Sequence, residues 1–190
     1  EGGAFSSRLD QFKKAYRNKT VVLSVERLDY TKGVPHKLNA IEKFLEASDE
    51  STRDAIVFIF IAVPSRIEVK EYNRLVREVE RRTSQINGKY ATLTNIPVHF
   101  INKSVGSFSE LCALYSLADV ALVTPLIDGM NLVAKEYIAC QQRKNGVLIL
   151  SEFAGAAQEL PHALVVNPYN RHEVTQAMQR IEAWVASCYR

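Results

Sequence analysis

Hydrophobic residues occur along the chain as short apolar runs, each followed by a polar loop and an amphipathic stretch. The apolar runs predict β-strands, and six of them lie at 20–25, 56–62, 98–102, 120–123, 147–150 and 163–166. The run at 56–62, IVFIFIA, is apolar at every position. Such a run is typical of a parallel strand that is covered on both faces of its sheet.

The amphipathic stretches predict helices after each strand. They span 35–47, about 68–85, 107 to about 118, 132–141, a short stretch ending near 160, and 171–188, with one more near 9–16 before the first strand. Ser107 and Glu110 have the spacing of a capping box, which predicts that the helix between the third and fourth strands starts at this point.

Strands that alternate with helices predict an α/β fold, here a Rossmann-like parallel sheet of about six strands with helices on both faces. The chain has 190 residues, of which 47% are hydrophobic, and this suits one domain over 1–190. Residues 87–97 are the candidate flexible insert.

Composition narrows the possible partners. The net charge is only +3, and the basic residues are dispersed, which disfavours nucleic acid. No apolar run approaches the roughly 20 residues of a membrane span, so no membrane partner is expected. Cys112, Cys140 and Cys188 lie far apart in the sequence, without zinc or redox spacing. They indicate reduced thiols and a cytoplasmic protein.

In a sheet of this type, ligands bind outside the carboxyl ends of the strands, so the loops after the strands carry the candidate chemistry. The first of these loops, ERLDYTKG, contains Arg27 and Lys32. An arginine grips a phosphate with two hydrogen bonds and a lysine acts as a point charge, so the pair would neutralise a diphosphate without a metal. The alternative, that both cations pair with Glu26 and Asp29 on the surface, is equally well supported by the residues.

The loop after the fourth strand, TPLIDGMN, combines a glycine with the start of a helix. Gly129 allows the backbone to approach a ligand, and the free N–H groups of the helix start form an anion site. Asp128 would accept hydrogen bonds from sugar hydroxyls, and Glu136 would hold a ribose. The residues alone slightly favour a blander alternative, in which Asp128 is a turn residue and Glu136 a solvated helix charge.

Other nucleotide and hydrolase motifs are missing from the sequence. It has no G-x-G-x-x-G after the first strand, no G-x-x-x-x-G-K-[ST], and no G-x-S-x-G around Ser151. The small residues of SEFAGAA, after the fifth strand, allow either close helix–sheet packing or the approach of a ligand, and the residues alone favour packing.

Five segments together resemble a known family. ERLDYTKG, INGKY, ALVTPLIDGMNLVAKEY, LILSEFAGAAQEL and VVNPY occur in the order seen in the trehalose-6-phosphate synthases, glycosyltransferase family 20. The resemblance extends from about residue 20 to residue 170. It implies the C-terminal half of a GT-B glycosyltransferase, in which two Rossmann-like domains face each other across a cleft. The N-terminal acceptor domain is expected to be absent from this chain.

The resemblance implies transfer of glucose from UDP-glucose to glucose 6-phosphate with retention, giving trehalose 6-phosphate and UDP. No cofactor and no metal are expected. The isolated domain should bind UDP or UDP-glucose with little or no turnover, and a homo-oligomer is possible. The alternative is a non-catalytic subunit of a trehalose synthase complex that senses sugar phosphates or regulates the enzyme.

The resemblance also assigns roles to residues. Arg27, Lys32 and Asp128 match the catalytic positions, and Arg66 matches an arginine that reaches the acceptor phosphate. The UDP-glucose site as a whole comprises Arg27, Lys32, Ile61, Val105, Asp128, Gly129, Met130, Asn131, Leu132, Val133 and Glu136. Within this set, Ile61 and Val105 match uracil contacts and Glu136 matches the ribose-binding carboxylate. Ile127 departs from the pattern, because many members have arginine there.

Overall fold

The computed structural model describes residues 2–64, 70–141 and 146–188. Its strands are β1 (Thr20–Arg27), β2 (Ile56–Val63), β3 (Val98–Ile101), β4 (Val120–Val123), β5 (Val147–Ser151) and β6 (Leu164–Val166). Its helices are α1 (Gly2–Ala15), α2 (Val34–Ala47), α3 (Glu50–Ala55), α4 (Lys70–Tyr90), α5 (Phe108–Leu117), α6 (Leu132–Cys140) and α7 (Arg171–Cys188). Short 3-10 turns lie at Tyr30–Lys32 and Gly155–Gln158.

The six strands form one sheet in the order β3-β2-β1-β4-β5-β6, and every pair is parallel. The predicted six-stranded parallel sheet is therefore confirmed. The chain runs outwards from β1 to β3 and then returns to the other side of β1 at β4. In doubly wound sheets, the carboxyl ends of the strands open into a ligand crevice where the order reverses, here between β1 and β4.

Both faces of the sheet are covered, so the core has two layers. On one face, side chains such as Val22, Phe58 and Leu122 pack against α2, α4 and α7. On the other face, side chains such as Leu23 and Val123 pack against α5 and α6, with α1 outside them. Strand β2 is buried at every position except the last, as its uninterrupted apolar run predicts.

Several boundaries differ from the prediction. Strand β1 continues to Arg27 and α1 begins at Gly2, so both are longer than their apolar patterns. Helix α3 was not predicted, because its sequence ESTRDA has no apolar stripe. Asp49 starts α3 by accepting a hydrogen bond from the Thr52 backbone N at 2.7 Å. The predicted helix start at Ser107 is confirmed, because its Oγ accepts from the Glu110 N at 3.1 Å. The return bond of a capping box differs, since the Glu110 carboxylate accepts from the Gly106 N at 3.1 Å and not from the Ser107 N.

Helix α4 also corrects the expected insert at 87–97, since 87–90 are helical. The side chain of Asn87 explains this extension. Its Nδ2 donates to the Val98 carbonyl at 2.8 Å and its Oδ1 accepts from the Val98 N at 3.0 Å. These bonds to β3 override the low helix propensity of Asn and Gly. The predicted start of this helix, near 68, lies outside the described residues.

Within the described ranges, no helix has both the length and the apolar character needed to cross a membrane.

Candidate functional site in the crevice between β1 and β4

The loop after β1 and the loop after β4 meet at the carboxyl edge of the sheet. The backbone N–H groups of Leu126 and Ile127 donate to the Thr31 carbonyl oxygen, at 2.7 and 3.3 Å. These bonds join the two loops at the point where the strand order reverses. The two cations of the first loop therefore lie on the same rim as the DGMN segment.

Lys32 is paired across this junction. Its Nζ lies 2.6 Å from Oδ2 of Asp128, and only 14% and 16% of the two side chains are exposed. Asp29, which was an alternative partner, instead accepts hydrogen bonds from the N and Oγ1 of Thr31, at 2.9 and 2.8 Å. The surface pairing of Lys32 with residues of its own loop is therefore not what the structure shows.

Asp128 is held as a carboxylate. Burial disfavours its charge, but the Lys32 ammonium and hydrogen bonds from Met130 N and Asn131 Nδ2, at 3.3 and 3.1 Å, outweigh burial. The net effect is that the pKa of Asp128 lies below its ordinary value. A carboxylate accepts hydrogen bonds only, which suits sugar hydroxyls or a cationic partner.

The start of α6 is built on an unusual residue. Asn131 has φ 77°, in the left-handed region that Asn tolerates better than most residues. In this conformation its side-chain oxygen accepts from the Ala134 N at 3.1 Å and caps the helix. The N–H groups of Leu132 and Val133, in the first turn, have no intrahelical acceptor. Asn131 Nδ2 donates to Asp128 Oδ2 at 3.1 Å, so this helix start adjoins the Lys32–Asp128 pair and adds positive potential to the crevice.

The DGMN loop rests on the loop after β5. Asp128 N donates to the Phe153 carbonyl at 3.1 Å, and Gly155 N donates to the Asp128 carbonyl at 3.0 Å. A Cβ added to Gly155 would lie 2.1 Å from the Gly129 carbonyl oxygen, which no real contact allows. The structure therefore supports packing as the role of the small residues in SEFAGAA. At Gly129 itself, an added Cβ would meet nothing within 4 Å.

This contrast between the two glycines makes a prediction. Gly155→Ala is expected to lower the free energy of unfolding by about 1–3 kcal/mol, because the methyl group must displace the backbone at Gly129. Gly129→Ala is the matched control and should leave stability unchanged, since the space around it is open. Urea unfolding of both variants measures the difference. Equal stability of the two variants would contradict this account of the loop.

Glu136 lies on α6, one turn after the capping residue. Its Oε2 accepts a hydrogen bond from the hydroxyl of Tyr115, on α5, at 2.9 Å. On the same helix, Leu132 is 63% exposed and Val133 is partly buried against the core. Glu136 is thus held in place by a neighbouring helix, and it is not simply a solvated charge.

The other predicted site residues are less closely grouped. Arg27 is the last residue of β1 and is exposed on the rim. Met130, in the DGMN loop, has 41% of its surface exposed. Ile61 is only 3% exposed in the core near the end of β2, and Val105 is partly buried against the same core. Arg66 lies outside the described residues, so its predicted position is not tested.

Sequence reasoning missed a buried polar network beneath the crevice. Lys37, on α2, is 1% exposed, and its Nζ donates to Ser24 Oγ at 3.0 Å and to Oε2 of Glu26. Burial lowers the pKa of Lys37, and the Glu26 carboxylate opposes that effect. Ser24 Oγ in turn donates to the Leu122 carbonyl of β4 at 2.9 Å. Glu26 is therefore engaged by Lys37, and the alternative that it pairs with Lys32 is not observed.

A signal for this network is present in the sequence. Lys37 lies three residues after Val34 and four before Ile41, so it occupies a position on the apolar stripe of α2. Ser24 and Glu26 lie two and four residues after Val22, so they share its face of β1, the face that packs against α2. A lysine on an apolar stripe, opposite a carboxylate on the covering strand, predicts a buried ion pair.

The fold and the crevice define a class before any family is considered. The domain is a doubly wound α/β domain, and its strand order reverses between β1 and β4. Cations, a glycine loop and a helix start lie at that crevice. These features are typical of Rossmann-like domains, whose ligands bind at the point of reversal. The family is narrower. The chain matches the model of Glycosyltransferase family 20 over residues 1–182, and it belongs to that family. The predicted family resemblance is confirmed.

Three relatives illustrate the similarity. The chain is 49% identical over 171 residues to "Alpha,alpha-trehalose-phosphate synthase [UDP-forming] 1" of Arabidopsis thaliana, which covers 90% of this chain and 18% of the relative. It is 44% identical, with a TM-score of 0.87, to the solved structure "Trehalose-6-phosphate from E. coli bound with UDP-2-fluoro glucose", covering 92% of this chain and 39% of that one. The third is the solved structure of a Burkholderia xenovorans alpha,alpha-trehalose-phosphate synthase (UDP-forming) in complex with glucose-6-phosphate. It is 40% identical, with a TM-score of 0.89, and the match covers 95% of this chain and 39% of that one.

The chain thus spans about two fifths of each of these solved chains and less than a fifth of the Arabidopsis relative. The Rossmann-like α/β fold is confirmed by the high structural similarity.

Proposed function

We propose that this chain is the donor-binding domain of a retaining glucosyltransferase, which transfers glucose from UDP-glucose to glucose 6-phosphate and releases UDP and trehalose 6-phosphate. The observation that carries the proposal is the Lys32–Asp128 pair beside the start of α6, in the crevice where the strand order reverses. The relatives support it, since their names include UDP-forming trehalose-phosphate synthases, a UDP-2-fluoro glucose complex and a glucose-6-phosphate complex.

The diphosphate of the donor lies between the first loop and α6 in this proposal. Arg27 and Lys32 supply two positive side chains, and the N–H groups of Leu132 and Val133 supply donors at the helix start. These groups offset the two negative phosphates, so the proposal requires neither a metal nor a cofactor. Asp128, Gly129, Met130 and Asn131 form the loop around the glucose and its phosphate.

The nucleoside extends from the diphosphate towards the α5 side of the crevice. Glu136 accepts hydrogen bonds from the ribose, and Val105 borders the uracil. Ile61 is almost wholly buried, so it supports that wall from within the core. Arg66 is assigned to the phosphate of the acceptor.

The chemistry follows from the charge that develops on the leaving group. Breaking the glycosidic C–O bond places negative charge on UDP, and preorganised cations and amides stabilise that charge as it forms. Asp128 holds the Lys32 ammonium in position from the opposite loop. The acceptor hydroxyl attacks from the face that UDP leaves, and the departing phosphate takes its proton, so no enzyme nucleophile is needed.

The whole activity requires more than these residues. We propose that an acceptor-binding domain of the same protein closes the cleft and binds most of glucose 6-phosphate. A cytoplasmic location is supported by Cys112 and Cys140, which are free thiols. Assembly into a homo-oligomer stays a prediction.

Calorimetry with UDP tests the donor site on the 190-residue chain. Wild type is expected to bind UDP, and Lys32→Ala should weaken binding by about 1.5–3 kcal/mol, the usual contribution of a charged hydrogen bond. Lys43→Ala is the matched control, because Lys43 is an exposed lysine that pairs with Glu46 on α2. Its affinity should equal that of wild type.

Absence of UDP binding by the wild-type chain at millimolar concentration would contradict the proposed function. A second assay separates an enzyme from a sensing or regulatory subunit. A protein that joins this chain to its acceptor domain is incubated with UDP-glucose and glucose 6-phosphate, and UDP release is measured. Tight UDP binding without any UDP release would favour the regulatory subunit.

A further inference from the structure

The α5–α6 interface contains a buried phenol that the proposed function does not use. Tyr115, on α5, is 2% exposed, and its hydroxyl donates to Glu136 Oε2 at 2.9 Å. Among the described residues, the other oxygen, Oε1, has no hydrogen-bond partner. Glu136 as a residue is exposed, so its carboxylate is accessible to a ligand.

Tyr115 is a rigid donor. Its ring packs in the core between the sheet, α5 and α6, and its backbone carbonyl accepts from the Gln141 side chain at the end of α6. Burial and the neighbouring Glu136 carboxylate raise the pKa of Tyr115 well above its ordinary value. The hydroxyl therefore keeps its proton throughout the working range and always donates to Glu136.

The position of Glu136 matches a nucleotide whose phosphates lie at the helix start. Glu136 lies four positions after Leu132, which is about 6 Å along the helix axis. A ribose attached to the diphosphate spans a similar distance between its 5′ oxygen and its two hydroxyls. The unoccupied oxygen of Glu136 then meets the diol.

We propose that Tyr115 is a positioning residue that orients Glu136 towards the ribose diol, so that the chain selects ribonucleotides over deoxyribonucleotides. The inference rests on the proposed donor site. With one oxygen held by Tyr115, the carboxylate presents the other at a fixed place. Without the phenol hydroxyl, Glu136 rotates freely and must be ordered again each time a ribose binds.

The test compares UDP, 2′-deoxy-UDP and 2′,3′-dideoxy-UDP by calorimetry with the full 190-residue chain. Tyr115→Phe is expected to weaken UDP about 3- to 10-fold, the usual cost of ordering one side chain on binding. Binding of 2′,3′-dideoxy-UDP should stay unchanged, because that ligand offers Glu136 no hydroxyl. The preference of wild type for UDP therefore shrinks in the variant.

Tyr137→Phe is the matched structural control. Tyr137 is the next residue after Glu136, is fully buried, and donates to the Asp119 carbonyl at 3.2 Å, away from Glu136. Removing its hydroxyl is expected to lower stability without changing the ratio of UDP to 2′,3′-dideoxy-UDP affinity. An equal loss for all three nucleotides in Tyr115→Phe would assign Tyr115 a structural role only and overturn the proposal.

Glu136→Ala provides a second arm. Glu136 is exposed, so its truncation opens no cavity in the core, although it removes the acceptor of the Tyr115 hydroxyl. In this variant the preference for UDP should vanish, and adding Tyr115→Phe should produce no further loss. A preference that survives Glu136→Ala overturns the inference. The two proposals fail in different ways: a chain that binds no UDP refutes the donor site, whereas UDP binding without ribose preference refutes only the role of Tyr115.

Discussion

Replacing Lys37 by methionine is expected to lower the free energy of unfolding by about 3–5 kcal/mol, as measured by urea denaturation. The side chains of Lys37 and Glu26 are 1% and 9% exposed, so the variant leaves a buried carboxylate without its cation. It also removes the ammonium that donates to Ser24 Oγ. Ser24 links β1 to β4, because its Oγ donates to the Leu122 carbonyl. The cost arises from the uncompensated charge, because methionine closely matches the apolar stem of lysine.

Two controls isolate this effect. The double variant Lys37→Met with Glu26→Leu should recover much of the lost stability, since a buried ion pair replaced by apolar residues is often neutral. Lys43→Met removes a lysine from an exposed pair with Glu46 on the same helix, and should leave stability nearly unchanged. If Lys37→Met and Lys43→Met prove equally stable, the buried pair does not have the importance assigned to it.

Arg27→Ala is expected to slow glucosyl transfer by about 10²–10³-fold, the usual effect of removing one preorganised group that stabilises developing charge. Arg27 ends β1 and is exposed on the rim. No described residue forms an ion pair with it, whereas Lys32 shares its charge with Asp128. The guanidinium is therefore free to grip the leaving phosphate. UDP release by a protein that joins this chain to its acceptor domain measures the rate.

Arg17→Ala is the control for this prediction. Arg17 is an exposed arginine that precedes β1 and so lies at the opposite edge of the sheet. Its removal should not change the rate. Arg27→Lys keeps the positive charge but loses the planar guanidinium group, which can donate two hydrogen bonds to one phosphate. This variant should give an intermediate rate. A wild-type rate in Arg27→Ala would remove this residue from the mechanism.

Much of the fold was predictable because burial leaves a periodic trace in the sequence. The run at 56–62 is apolar at each position, and β2 is covered on both faces. Element boundaries were less predictable, since they depend on partners distant in sequence. Helix α4 continues through Asn87 because that side chain pairs with the backbone of Val98, which no local pattern reveals.

The site divides in the same way. Glycine, charge and helix-start signals located the two loops, and both lie at the crevice. The partners within the site were not predictable, because each cation had several carboxylates within reach along the sequence. Lys32 pairs with Asp128, 96 residues away, and not with Asp29 in its own loop.

The sequence by itself determined that strands and helices alternate, and that the charged loops share one edge of the sheet, since all parallel strands end on the same side. Only the tertiary structure decided which charges meet. Packing of α2 against β1 buries Lys37 on Glu26, and packing of α5 against α6 places Tyr115 on Glu136. The physical reason is that hydrogen bonds and ion pairs act over a few ångströms, and those distances are set by the packed core.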